Sequence, residues 1–192
     1  MSNWALQRTF LQLQTQWVTL IGETYLDAKQ QTREYYRVSK ADSVVVLPVL
    51  GAGILTAAPQ YRPGVQRSTV DFPGGRVQQD GGLRTDALRV LQAELGVRAS
   101  MVQSLRVLDA RGWPVNSSFS NQKLFGCVAV LDDAATLANG HAEAGHYTLD
   151  QQGLQALSSV LDCMQCRTVL FHYLLATGQA DCFADKAALV EI

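Results

Sequence analysis

The feature that most narrows the fold is a glycine-rich break that runs into one amphipathic helix with a glycine stop. Val70-Asp71-Phe72 is extended in character, and Pro73-Gly74-Gly75 interrupts it. Proline lacks the N–H a strand ladder needs, and paired glycines favour a turn. Leu83, Ala87, Leu91 and Leu95 then recur at every fourth position, with Leu88 beside them and Gly96 directly after. This spacing predicts a helix over 82–95 that turns one side to a core and ends at a left-handed glycine. Upstream, Ser43 to Leu50 reads as a buried strand, Gly51-Ala52-Gly53 as a turn and Ile54 to Ala58 as the returning strand of a β-hairpin. Pro59 to Gly64, which carries Gln60, Tyr61 and Arg62, reads as a loop.

The remaining segments are less regular. Before Lys40, Trp17 to Ile21 and Tyr35 to Val38 are short apolar stretches between polar connectors, as strands at a sheet rim would be. Ser104 to Leu108 and Lys123 to Leu131 are strand candidates, separated by a loop with Gly112-Trp113-Pro114 and residues 116–121. Residues 132–147 read as a loop. Thr148 with Gln151, and Asp162 with Gln165, have the spacing of helix-start capping pairs, and Gly178 is the natural stop of the second helix. No repeat, linker or charge run divides the 192 residues, which suit one core.

Charge and apolar content exclude several classes of function. Sixteen basic against 17 acidic residues, a net charge of −1, leave no broad basic face for nucleic acid. The apolar run from Val44 to Leu50 is too short to cross a bilayer and contains Pro48. The opening segment, with Trp4, Arg8 and many glutamines, lacks the basic tip and apolar stretch of a secretory signal, so a cytoplasmic location is expected. Of the four cysteines, Cys163 and Cys166 have the spacing of a metal or redox pair. No second such pair exists, and His141, His146 and His172 are the only histidines, so buried, reduced helix cysteines are the expectation.

Hairpin, glycine break, helix and terminal glycine together resemble the Nudix hydrolase family, whose motif reads G-x5-E-x7-R-E-U-x-E-E-x-G-U with U apolar. Gly75, Arg89, Leu91, Glu94, Gly96 and Val97 match it, whereas Gly81, Val90 and Ala93 stand where glutamates are expected. Leu47-Pro48, Gln60-Tyr61-Arg62-Pro63, Phe72-Pro73-Gly74-Gly75 and Ser120 to Phe125 look like the branch that cleaves ADP-ribose and related nucleoside diphosphate sugars. So does the last helix, with Asp162 and Thr168-Val169-Leu170. The resemblance implies an α/β (α+β) Nudix fold, a mixed β-sheet sandwiched between helices, over residues 1–192. Within it, 1–40 form N-terminal strands and a candidate dimerisation segment, 41–178 the core and C-terminal helix, and 179–192 a tail.

The same resemblance implies Mg2+, which neutralises the diphosphate and activates water through oxygen ligands. Positions 90, 93 and 94 stand at i, i+3 and i+4 and project from one side of the helix. Only Glu94 among them carries a carboxylate, and Gln122, where the branch commonly has a glutamate, is no general base. Glu94 and Arg89 are therefore the candidate catalytic residues, with Glu94 and Asp86 as metal ligands. Asp71 and Asp80 also lie close to the lost positions in sequence. Arg62, Tyr61, Arg76, Gly74 and Gly75 are the candidate substrate-binding residues, because guanidinium groups hold phosphate oxygens without a metal. Arg67 and Arg84 flank the same region, and Tyr35 and Tyr36 are further stacking candidates. Three readings stay open: a protein that binds a nucleoside diphosphate derivative such as ADP-ribose without hydrolysing it, a divergent Mg2+-dependent pyrophosphatase, and a scaffold or interaction module. A homodimer is expected, and the N-terminal segment, through which related enzymes often dimerise, motivates the third reading.

Overall fold

The computed structural model describes residues 4–78, 81–132 and 144–179. Its elements in chain order are β1 (Ala5–Gln14), β2 (Thr19–Leu26), β3 (Thr32–Ser39), β4 (Ser43–Leu50), β5 (Gly53–Leu55), β6 (Gln60–Arg62), β7 (Arg67–Thr69), β8 (Gly74–Arg76), α1 (Gly82–Leu95), β9 (Val102–Val107), β10 (Trp113–Pro114), β11 (Lys123–Leu131), β12 (His146–Thr148), α2 (Gln151–Val160) and α3 (Met164–Thr177). The chain forms two compact units, one of residues up to Ser43 with Gly112–Leu124, the other of Val44–Arg111 with residues from Phe125 onward.

In the first unit, β1, β2 and β3 make an antiparallel sheet in that order. Strand β1 is longer than the apolar stretches suggest. Its alternation of Leu, Phe and Gln is masked in the sequence by the irregularities between Leu6 and Arg8 and between Thr9 and Leu11. Glu23 is buried and holds Arg37 through both carboxylate oxygens, at 2.8 and 2.9 Å, while the Tyr25 hydroxyl donates to it at 2.7 Å. Those hydrogen bonds, Arg37's foremost, lower the Glu23 carboxyl below its ordinary range. The 112–124 segment joins this unit through Val38 N–H to the Phe119 carbonyl and Lys123 N–H to Asp42.

The second unit is built on β4, whose interior residues from Val44 to Val49 are all buried. It turns through Gly51, at φ 55°, into β5, so that Leu50 pairs with Gly53 and Val49 with Ile54. Strand β11 neighbours β4, β9 pairs with β11, β8 pairs with β4, and β12 closes on β5. One apolar cluster joins Val44, Val46 and Leu55 to Ala87, Val90, Leu91 and Leu95 of α1 and to Cys127, Ala129 and Leu131 of β11. Helix α1 starts and stops where its leucine spacing predicts, and Gly96 ends it at φ 66°.

Four local expectations are corrected. The 59–64 segment is half of a hairpin: Gln60, Tyr61 and Arg62 pair with Thr69, Ser68 and Arg67 across a turn in which Gln66 takes φ 54°. Thr148 does not cap α2, because it is held extended against Gly53; Asp150 does so, accepting the Gly153 N–H at 2.8 Å. Asp162 does not cap α3, because its carboxylate pairs with Arg67 at 2.6 Å and the helix starts after Cys163. Part of the expected 132–147 loop is strand β12, and residues 133–143 lie outside the described residues, as do Asp80 and all but the first residue of the expected tail. No helix among the described residues is long and apolar enough to cross a membrane.

Candidate functional site around Gly75 and Glu94

The glycine break brings β8 against α1 at a distance only glycine permits. A Cβ added at Gly75 would lie 2.9 Å from Val90 Cγ1, and one at Gly74 would lie 3.3 Å from the Val44 carbonyl oxygen. Val90 is 2% exposed and belongs to the apolar cluster, so position 90 faces the core. Ala93 is exposed to solvent. Glu94 is intermediate: its Oε1 accepts the Gly74 N–H at 3.4 Å, and its Oε2 is buried with no hydrogen-bond partner. Burial raises the Glu94 carboxyl above its ordinary pKa; the Gly74 N–H and the charge of Arg62 oppose this, and Asp71 adds to it.

Arg89 and Asp86 form a second piece of the site. Asp86 is 1% exposed and accepts the Arg89 guanidinium on Oδ1 at 2.9 Å and the Gln78 N–H on Oδ2 at 2.8 Å. Arg89 also donates to the Arg76 carbonyl at 2.7 Å. Both oxygens of Asp86 are thereby used to tie the strand exit of β8 to the helix. The pair performs at this point the role of a structural clasp.

Arg62 donates through Nε and Nη2 to Asp71 Oδ2, at 3.1 and 2.8 Å, and the Thr69 hydroxyl shares that oxygen at 3.1 Å. Asp71 Oδ1 is buried and has no partner. Tyr61, on β6, is 63% exposed, and Arg76 on β8 is half-buried. Arg84 lies elsewhere, on a pocket with Leu83, Leu105, Arg106, Val107 and Cys127. Tyr35 and Tyr36 belong to the other unit, where the Tyr35 hydroxyl donates to the Ser118 carbonyl and the Tyr36 ring meets Phe10 edge-on. Gln122 is in that unit too, and is buried.

Two groups outside the expected site gather beside Asp71. Cys166, in the first turn of α3, is buried as expected, but Cys163 precedes the helix and is half-buried. The Cys166 thiol and the Cys166 and Gln165 amides lower the Cys163 thiol to about 6, against the effect of burial, while Cys163 and burial push Cys166 upward. Their spacing was visible in the sequence; their meeting with a residue more than ninety positions earlier was not.

Mg2+ takes oxygen ligands in a strict octahedron, commonly one or two carboxylates with waters and substrate phosphates. Gly81, Val90 and Ala93 offer no side-chain oxygen, both Asp86 oxygens are bonded, and burial favours the neutral form of Glu94. This donor set does not fit a helix-borne acidic cluster of the kind the Nudix motif supplies.

The arrangement of a mixed sheet with the glycine break packed on α1, and helices after β12, is the Nudix hydrolase fold. A crystal structure of an ADP compounds hydrolase superposes with a TM-score of 0.73 over 93% of this chain and 98% of that one, at 14% sequence identity. No family model matches the sequence.

Proposed function

We propose that this chain is a Nudix-fold protein that binds a nucleoside diphosphate derivative, such as ADP-ribose, and lacks the metal-dependent hydrolysis associated with the fold. The observation that carries the loss of hydrolysis is the packing of Val90 into the core against Gly75, with Glu94 the one motif carboxylate left on α1. Binding is supported by Arg62, Tyr61 and Arg76. Arg62 spends Nε and Nη2 on Asp71, and its side chain is 44% exposed, so the rest of its five-donor fork is open to a phosphate. Tyr61 offers an exposed ring for a base, and the fold neighbour is named for ADP compounds.

Thermal denaturation with ADP-ribose in EDTA tests the reading: the melting temperature rises, and Arg62→Ala removes the rise. Incubation with Mg2+ or Mn2+ leaves the ligand intact. No ligand-dependent shift refutes binding, and turnover that disappears in Glu94→Gln makes the protein a divergent pyrophosphatase instead.

Homodimerisation through the N-terminal strands is part of the proposal. Strand β1 is the edge of its sheet and is exposed along its whole length, with Leu6 and Leu13 more than half exposed and Phe10 and Leu11 beside them. An edge of this kind pairs with another chain unless it is covered. Light scattering that gives a monomer mass at micromolar concentration excludes it.

A further inference from the structure

The segment leading into the glycine break and the start of α3 are tied together at several points. Val70 bridges Leu161, Arg67 pairs with Asp162, and the Phe72 N–H donates to Cys166 Sγ at 3.3 Å. Between these ties, a carboxylate oxygen of Asp71 and the sulfurs of Cys163 and Cys166 lie within 4.8 Å of one another. Asp71 is 9% exposed, and its Oδ1 is buried with nothing to bond to. A buried carboxylate oxygen without a partner is costly, and the carboxylate that carries it shares a small space with two sulfurs.

We propose that Asp71, Cys163 and Cys166 form a binding site for a thiophilic divalent cation of the zinc type. The donor set selects the ion: two sulfurs and one carboxylate suit Zn2+ and not Mg2+. Tetrahedral Zn2+ places its ligand atoms about 3.5–3.8 Å apart, so each pair closes by at most about 1.3 Å from the observed limit. Coordination by Asp71 Oδ1 satisfies the orphan oxygen and leaves Oδ2 on Arg62 and Thr69, which orient the carboxylate from behind. The Phe72 N–H already directed at Cys166 is the donor a metal-bound thiolate takes. Two thiolates and one carboxylate leave a net charge of −1 around the ion, beside the Arg62 guanidinium, and the thiol protons are released to solvent on binding. Cys163 is half-buried, so the fourth position is open to water. A Cys163–Cys166 disulfide would leave Asp71 Oδ1 as it is, which is why the metal is favoured.

The test is a Co2+ titration of the reduced 192-residue chain. One equivalent binds, with a thiolate-to-cobalt charge-transfer band that Zn2+ bleaches. Cys163→Ser and Asp71→Asn each lower the affinity by about tenfold or more, and Cys182→Ser leaves it unchanged. Serine is favourable at a helix start, so Cys163→Ser keeps the fold intact. No charge-transfer band in the wild type, or a band unaltered in Cys163→Ser, overturns the site. So does a Cys163–Cys166 disulfide that forms equally fast with and without saturating Zn2+, since coordination withholds both sulfurs from oxidation.

Discussion

Replacing Val90 by glutamate puts a carboxyl at a position that the packing has closed. Val90 is 2% exposed, shares a cluster with Val44, Val46, Ala87 and Leu91, and lies against Gly75. In that apolar setting the new carboxyl is neutral in the folded protein. Holding a group of ordinary pKa ~4.3 protonated at pH 7 costs about 3.7 kcal/mol. Overpacking adds about 1–3 kcal/mol. The sum, about 5–7 kcal/mol, lowers the melting temperature of a chain of this size by roughly 10–25 °C. The sign of the pH dependence follows from the raised folded pKa: the charge penalty is absent below the unfolded pKa and grows as pH rises above it. Urea denaturation of Val90→Glu and wild type at pH 4.5 and 7 measures both parts, and at the lower pH the deficit shrinks to within about 0.6 kcal/mol of the overpacking cost. Ala93→Glu, on an exposed position, stays within about 0.5 kcal/mol of wild type. A Val90→Glu protein as stable as wild type at pH 7, or a deficit independent of pH, refutes the placement of this helix face in the core.

Other outcomes follow from the same geometry. Glu94 has a raised pKa, so its contribution is fully present below the unfolded pKa and is lost as pH rises through the folded one; Glu94→Gln therefore flattens the stability profile across that acid-to-neutral window, as denaturation at several pH values will show. Glu23 behaves oppositely, since Arg37 lowers its pKa: the stability it supplies is present above the unfolded pKa and disappears as pH falls through the folded one. Arg37→Met weakens that dependence, because the Tyr25 hydrogen bond remains, and costs about 1–2 kcal/mol, a figure discounted because the arginine side chain is 34% exposed. Gly75→Ala presses a methyl group on Val90 and costs about 1–3 kcal/mol. In the Val90→Ala background that cost falls, and strict additivity in the double-mutant cycle would show that the two positions do not touch.

What the sequence determined by itself was everything set by short-range pattern. The run from Ser43 to Leu50 became β4, the turn after it formed at a left-handed glycine, and the leucine spacing placed both ends of α1 because 3.6-residue periodicity and a glycine stop are local properties. That Gly81, Val90 and Ala93 stand where the resembled motif has glutamates is likewise read from spacing alone. Tertiary structure decided the rest. Residues 90, 93 and 94 share one side of a helix by spacing, yet Val90 is core, Ala93 is surface and Glu94 is between, since burial depends on what β8 and the sheet bring against each. Thr148 and Asp162 had capping spacing but lost that role to a strand pairing and an ion pair from remote segments. Asp71 meets Cys163 and Cys166 only because the chain folds back over more than ninety residues, a contact whose energy no local pattern encodes.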